Sequence, residues 1–285
     1  MAETLEVLSK LAVLTFVLTS MIAMGLSLTI AQIGAPLRDV GLVVRSLVAN
    51  FVLVPLIGFV ILQVLSLEQP LEIGLILLAT AAGAPFLPKL VEVARGDAAF
   101  GVGLMVLLMV VTVIYVPLAL PLLLPGVEVA AGDIATSLIV LILLPLAVAL
   151  AVRARYPGVA AIVQPIMTQT SSVALILLMV LLLVQTFSDI IGVIGTGAIV
   201  ALLLLIVASF AGGYLLGGGA DTRGVLALGT AQRNISAALV VGAQNFTDPD
   251  VVVMLLVGAL LMLVALMVAG GELGRRAERT ATSVS

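Results

Sequence analysis

Two basic residues, Lys89 and Arg233, lie inside long apolar stretches of a 285-residue chain that holds only twelve bases in all. A basic side chain at the centre of a bilayer costs about 2.5–3.5 kcal/mol on insertion scales, so such residues are functional by default. Fixed positive charge at that depth either attracts an anion or stands where a mobile coupling cation would otherwise sit. Lys89 follows Gly83-Ala84-Pro85-Phe86-Leu87-Pro88, and Arg233 lies within Gly229-Thr230-Ala231-Gln232-Arg233-Asn234-Ile235-Ser236. Prolines delete backbone donors and glycine weakens a turn, while Gly, Asn and Ser cap a fresh half-helix. Each base is therefore expected at a helix break, and irregular backbone at membrane depth survives only where it is buried in protein or lines a water-filled cavity. Lys89 also begins the second half of its helix, whose exposed N–H groups favour an anion.

The expected substrate site gathers Lys89 and Arg233 with the amides Asn50, Gln232 and Asn234 around the breaks marked by Pro85 and Gly229. Glu92, one turn beyond Lys89, is a candidate proton carrier. The plainer expectation for the same groups is structural: Lys89 pairs with Glu92, and Arg233 hydrogen-bonds loose carbonyls of the breaks. Other polar residues within apolar runs are Thr112, Tyr115, Gln164, Thr168 to Ser172 and Gln185, mostly interhelical partners, with the Thr168 to Ser172 cluster dense enough to line a cavity. Glycines between Ala211 and Gly219 read as close helix packing, since no P-loop Lys-Ser/Thr pair accompanies them.

The elements that position these groups follow from composition. The chain is 63% hydrophobic and 9% charged, with a mean hydropathy of +1.39, whereas a soluble domain carries about 25% charged residues. Cysteine, histidine and tryptophan are absent, which removes thiol nucleophiles, disulfides, Cys or His metal sites and a histidine proton shuttle. No basic patch suggests nucleic acid. Glu3 and Glu6 precede the first base, the reverse of a cleavable signal's basic region, so the N-terminal segment reads as retained. Apolar runs of about 20 residues give nine candidate helices: Val7 to Leu28, Val40 to Leu65, Leu71 to Ala94, Ala98 to Leu124, Ile134 to Val152, Ile162 to Thr186, Ile190 to Leu216, Gly224 to Gly242 and Val251 to Ala269. Continuous hydrophobicity excludes a membrane barrel, whose strands alternate and are shorter.

Charge placement orients these spans. The loops after the first, third, fifth and seventh, with the C-terminus, hold nine of the twelve bases. The opposite side holds Lys10 and nine acids: Glu3, Glu6, Glu68, Glu72, Glu128, Asp133, Asp189, Asp248 and Asp250. The positive-inside rule places the N-terminus outside and the C-terminus inside a cytoplasmic (inner) membrane. The breaks fall in the third and eighth spans. Taking residues 7–124 and 162–269 as two units joined by the helix 134–152, with 270–285 as a short tail, the broken helix is third in each, and the two run in opposite directions. Interrupted helices at matching positions in oppositely oriented halves point to an inverted-repeat secondary transporter with a midplane site. The fold class expected is an all-α, single-domain membrane protein of nine transmembrane helices, the third and eighth broken and crossing.

Several pieces resemble the bile acid:sodium symporter family: Met24-Gly25-Leu26-Ser27-Leu28, Ala49-Asn50-Phe51 before Pro55, Gly83-Ala84-Pro85, Ala94-Arg95-Gly96-Asp97, Gly213-Tyr214-Leu215-Leu216-Gly217, and Gln232 through Leu239. The resemblance covers nearly the whole chain. It implies a panel domain and a core domain, with broken helices crossing in the core, and transport of organic anions such as bile acids and small carboxylates, usually driven by sodium. It also implies sodium ligands that this chain does not match. The family's Ser and Asn after the first break fall at Leu87 and Pro88, its hydroxyls on the next helix at Gly101 and Met105, and its Glu in the second broken helix at Ala227. Asn50 alone keeps the family's amide ligand. A hard cation needs several oxygen ligands, so the expectation is a small-organic-anion transporter with no cofactor, working by alternating access and independent of sodium.

The alternatives are an ordinary sodium-coupled symporter using other ligands, an anion channel, or a membrane-embedded enzyme. An enzyme would need a reactive constellation, and no carboxylate pair lies at depth. A channel would need a continuous pore. Substrate identity and oligomeric state are not legible in the chain.

Overall fold

The computed structural model describes residues 2–34, 38–124, 131–185 and 195–284, and all regular structure among them is helical. In chain order the helices are α1 (Ala2–Ser27), α2 (Val40–Val64), α3 (Gln69–Thr80), α4 (Leu87–Val93), α5 (Ala98–Leu123), α6 (Ala131–Arg155), α7 (Pro157–Gln185), α8 (Ala198–Leu216), α9 (Ala220–Ala231), α10 (Ile235–Asn245) and α11 (Pro249–Val284), with a one-turn helix Ile30–Gly34 after α1. Eight spans among the described residues are long and apolar enough to cross a membrane, the α9–α10 pair counting as one; α3 is apolar but shorter. The protein is a multi-pass membrane protein.

Local chemistry sets the helix starts. Asp39 caps α2 by accepting from the Leu42 N–H, Asp97 caps α5 through Phe100, and Asn234 caps α10 through Ala237, each satisfying an N–H that the first turn leaves without a partner. Pro55 and Pro145 sit inside spanning helices, and each follows a five-residue π segment, Ala49–Leu53 and Ile139–Leu143. There the Val54 N–H reaches back to Ala49 and the Leu144 N–H to Ile139. The wider turn accommodates the ring and the missing donor that would otherwise break the helix.

The spans differ sharply in how much protein surrounds them. Of the α9–α10 window 89% is buried, against 11% for α7, so the former is the core around which the rest packs and the latter a peripheral wall. α1 packs chiefly on α7 and then on α6, whereas α8 packs on α9 and α11 on α3. The glycine stretch of α8 serves that contact: a Cβ at Gly213 would lie 2.7 Å from both the Leu226 carbonyl oxygen and Thr230 Oγ1.

The helix ends differ from the expected bounds at several places. Residues 270–284, expected as a short tail, are helical and continue α11: Glu272 pairs with Arg275 and Arg276 at the spacings that support an exposed helix, and Glu278 reaches Arg95 just after α4. The eighth span starts earlier than Gly224, at Ala220. The seventh starts at Ala198, and its expected opening at Ile190 lies outside the described residues, as do Glu128 and Asp189 and the side chains of Glu3, Glu6 and Gln185.

Candidate functional site

Helix α3 ends at Thr80, and residues 81–86 are not helical before α4 begins. A helix end leaves its last carbonyls without intrahelical partners, and burying such a group unpaired costs about 1–3 kcal/mol. Nearly every carbonyl of this stretch has a donor. The Leu77 oxygen takes the Ala81 N–H. Leu78 and Ala79 take Arg233 Nε and Nη2, each at 2.9 Å. Ala81 takes the Asn234 N–H, Gly83 takes Asn234 Nδ2 at 2.9 Å, and Ala84 takes the Leu87 N–H. Thr112 of α5 does both jobs for Ala82, accepting from its N–H at 2.9 Å and donating to its oxygen at 3.0 Å.

The second interruption, residues 232–234 between α9 and α10, supplies most of these donors. Arg233 is 1% exposed. Besides Leu78 and Ala79, its Nη1 donates to Asn50 Oδ1 at 2.8 Å and to the Thr230 oxygen at 3.0 Å. The guanidinium is thus ringed by four neutral oxygens, three of them carbonyls from the C-terminal ends of α3 and α9. Each helix C-terminus carries roughly half a negative charge, so two of them together offset one cation without a carboxylate. Asn50 sits in the π segment of α2, fully buried, and is held by its own donations to the Ser46 oxygen and to Thr230 Oγ1.

The sequence-derived site residues therefore divide into two groups. Arg233, Asn50 and Asn234 come together, but as the internal frame that joins the breaks. Gly229 is packed against Leu104 and Leu87 and is not in the lining of the cavity that holds Lys89. Lys89, Pro85 and Gln232 instead line a cavity of about 610 Å³, which Arg233 also borders, a size in the range of small-molecule pockets. The Lys89 ammonium pairs with Glu92 at 2.8 Å, with the two side chains 55% and 70% exposed. Such an exposed pair contributes little stability, so the ammonium is available to a ligand. Glu92 does not line the cavity.

The far wall comes from α1 and α7. Gln164, Thr168, Ser171 and Ser172 of α7 face the cavity, as do Phe16, Ser20, Ala23, Met24 and Ser27 of α1. Of the α1 residues, Met24 and Ser27 belong to a segment that carries the family resemblance, whereas Phe16, Ser20 and Ala23 are not singled out by the sequence, although the spacing of four, three, one and three residues places all five on one helical face and that run of small and polar residues is a usable signal. Apart from Asn50, the positions that the resemblance matches to sodium ligands hold no side-chain oxygen: Leu87 packs on Gly229, Gly101 lies against Val91, and Ala227 is fully buried.

The family model described as the sodium bile acid symporter family matches residues 14–195. A probable sodium/metabolite cotransporter of Oryza sativa subsp. japonica, named as chloroplastic, is 27% identical over 241 residues, covering 82% of this chain and 57% of the relative. The chain thus spans little more than half the length of that plant protein.

Proposed function

This chain belongs to the sodium bile acid symporter family, and we propose that it carries small organic anions across a cytoplasmic membrane by alternating access, without sodium. The family and the rice relative are named for cotransport, not catalysis. The observation that carries the sodium-independent part is the Arg233 guanidinium, whose donors already occupy the Leu78, Ala79 and Thr230 oxygens and Asn50 Oδ1. Carbonyls at half-helix C-termini are the groups that coordinate coupling cations in transporters with broken helices. Here a tethered cation takes them. Sodium coupling through other ligands would need several further oxygens; among the described residues only Ser209 Oγ and Gln232 Oε1 are buried side-chain oxygens without a partner.

The working parts of this proposal are a panel of α1, α6 and α7 and a core built on the two interrupted helices, with the substrate in the cavity between them. Residues 7–124 and 162–269 form inverted units around the connector 134–152, a reading supported by the equal twelve-residue lengths of α3 and α9. With the N-terminus outside, Ser27, Lys89 and Gln164 lie toward the inner ends of their helices, which makes the cavity the inward-facing one. Lys89 holds the anionic group of the substrate.

Uptake into proteoliposomes tests this directly. Replacing sodium by potassium at fixed pH is expected to leave the rate of carboxylate uptake unchanged, and Lys89→Ala is expected to raise the half-saturating concentration about tenfold or more, the scale of one lost charge-assisted hydrogen bond. Uptake that collapses in potassium would refute the coupling assignment. A Lys89→Ala protein that folds and saturates as before would refute the site.

A further inference from the structure

The polar groups of the cavity are unequal in kind. Four of its hydroxyls use their single proton on their own helices: Ser27 Oγ donates to the Met24 oxygen, Thr168 Oγ1 to Gln164, and Ser171 Oγ and Ser172 Oγ both to Thr168, at 2.8–3.0 Å. A hydroxyl whose proton is so used offers only lone pairs. Gln164 Nε2 donates in turn to Thr168 Oγ1 at 3.1 Å. Opposite them Gln232 lines the same cavity while only 6% exposed, and its Oε1 has no hydrogen-bond partner. Four donations of the Arg233 guanidinium go to scaffold oxygens. Among these groups Lys89 supplies the one ammonium, while the Ser27, Ser171 and Ser172 hydroxyl oxygens and the buried Gln232 Oε1 are acceptors that receive no donor; Ser20 and Ser236 also line the cavity.

We infer that the site selects organic anions whose body bears a hydrogen-bond donor, a hydroxyl or an amide N–H, and that Gln232 Oε1 is the residue that demands it. This rests on the reading of the cavity as the anion site. An unpaired buried acceptor carries its full desolvation cost until a donor reaches it. A site built around such a group rejects the analogue that lacks the donor far more strongly than an apolar pocket rejects a missing methylene. The acceptors on α7 provide a second bank for donors on the opposite edge of the same ligand, and Phe16, Met24, Met105 and Leu263 cover its apolar skeleton.

The test measures competition against uptake, and thermal stabilisation of purified protein, for matched acids: β-hydroxybutyrate beside butyrate and β-hydroxyoctanoate beside octanoate, each in sodium and in potassium. Wild type is expected to prefer the hydroxy acid of a pair by about tenfold or more. Gln232→Met, which keeps the volume and removes the unpaired acceptor, is expected to fold and to bring that ratio close to one. Gln232→Glu, which keeps an acceptor, is expected to retain the preference at whatever affinity its added charge allows. A wild-type protein that treats each pair alike overturns the inference, as does a Gln232→Met protein with undiminished preference. Loss of a sodium requirement in Gln232→Met with selectivity intact would make Gln232 a cation ligand and also overturn it. If no acid binds or is carried by wild type, the transport reading itself fails, an outcome distinct from equal treatment of acids that do bind.

Discussion

Arg233→Ala is expected to cost the protein about 3 kcal/mol of stability and to make it respond to sodium, a response not expected of the parent. The substitution strips donors from four buried oxygens, those of Leu78, Ala79 and Thr230 and Asn50 Oδ1. At about 1–3 kcal/mol for each acceptor left unpaired, the gross loss is large. Part is recovered because a buried guanidinium no longer has to be desolvated, and part because water enters a polar void of that size. What remains is an electronegative pocket at two helix C-termini, together roughly one negative charge, lined by carbonyl and amide oxygens. That is a hard-cation site. A cation at a hundred times its dissociation constant restores about 2.7 kcal/mol, so thermal unfolding of the detergent-solubilised variant should rise with sodium chloride and not with choline chloride. Arg233→Lys should fall between, because an ammonium keeps the charge but cannot span the diverging oxygens as the planar fork does. An equal sodium response in parent and variant would mean that the guanidinium does not stand in for a cation.

This separates what the sequence announces from what it withholds. That Lys89 and Arg233 are exceptional is legible, because apolar runs and segregated charges leave them no loop to occupy. Their division of labour is not. Both sit beside Gly- or Pro-marked interruptions, and nothing in residue type says that one guanidinium turns into the scaffold while the ammonium faces a cavity. The difference comes from which helix ends meet: the carbonyls of Leu78 and Ala79 point at Arg233 only because α9 brings it there, a contact across about 150 residues of chain. The hydrogen-bond polarity of the cavity is equally hidden. Thr168, Ser171 and Ser172 are visible as a cluster, but that their protons turn inward to their own helix and leave lone pairs outward is a property of helical geometry. The face of α1 that closes the cavity is legible in its spacing, but only its end, Met24 and Ser27, stands out through the family resemblance, and nothing marks it as a cavity wall because none of its residues is charged.

Gly83→Ala is expected to be the most damaging single-methyl change in the protein, with a loss of about 4 kcal/mol or more, the range reached only when a named structural mechanism fails. Gly83 has φ +81, a left-handed backbone that costs a non-glycine residue about 1–2 kcal/mol. Steric contact costs more. A Cβ there would stand 2.7 Å from the Met105 oxygen and from Met109 Cα, and closer still to the Met109 nitrogen. These are backbone atoms of α5, so no rotamer change relieves them, and the α3–α4 break must move away from α5. Moving it strains the pair that Thr112 makes with Ala82 and the bond from Asn234 Nδ2 to the Gly83 oxygen, so the methyl group unlaces the contact that binds one interrupted helix to the other. Gly132→Ala is the matched control: it lies in the first turn of α6 with nothing within 4 Å of the added carbon, where the gain that alanine brings in a helix interior is not realised in full, so stability should change by less than about 1 kcal/mol. Thermal unfolding of the two purified variants separates them, and comparable midpoints would mean that the break does not depend on its close seat against α5. Because the cavity's Pro85, Lys89 and Gln232 flank these same interruptions, whatever Gly83→Ala protein survives should also lose uptake, whereas the control should carry substrate at the parental rate.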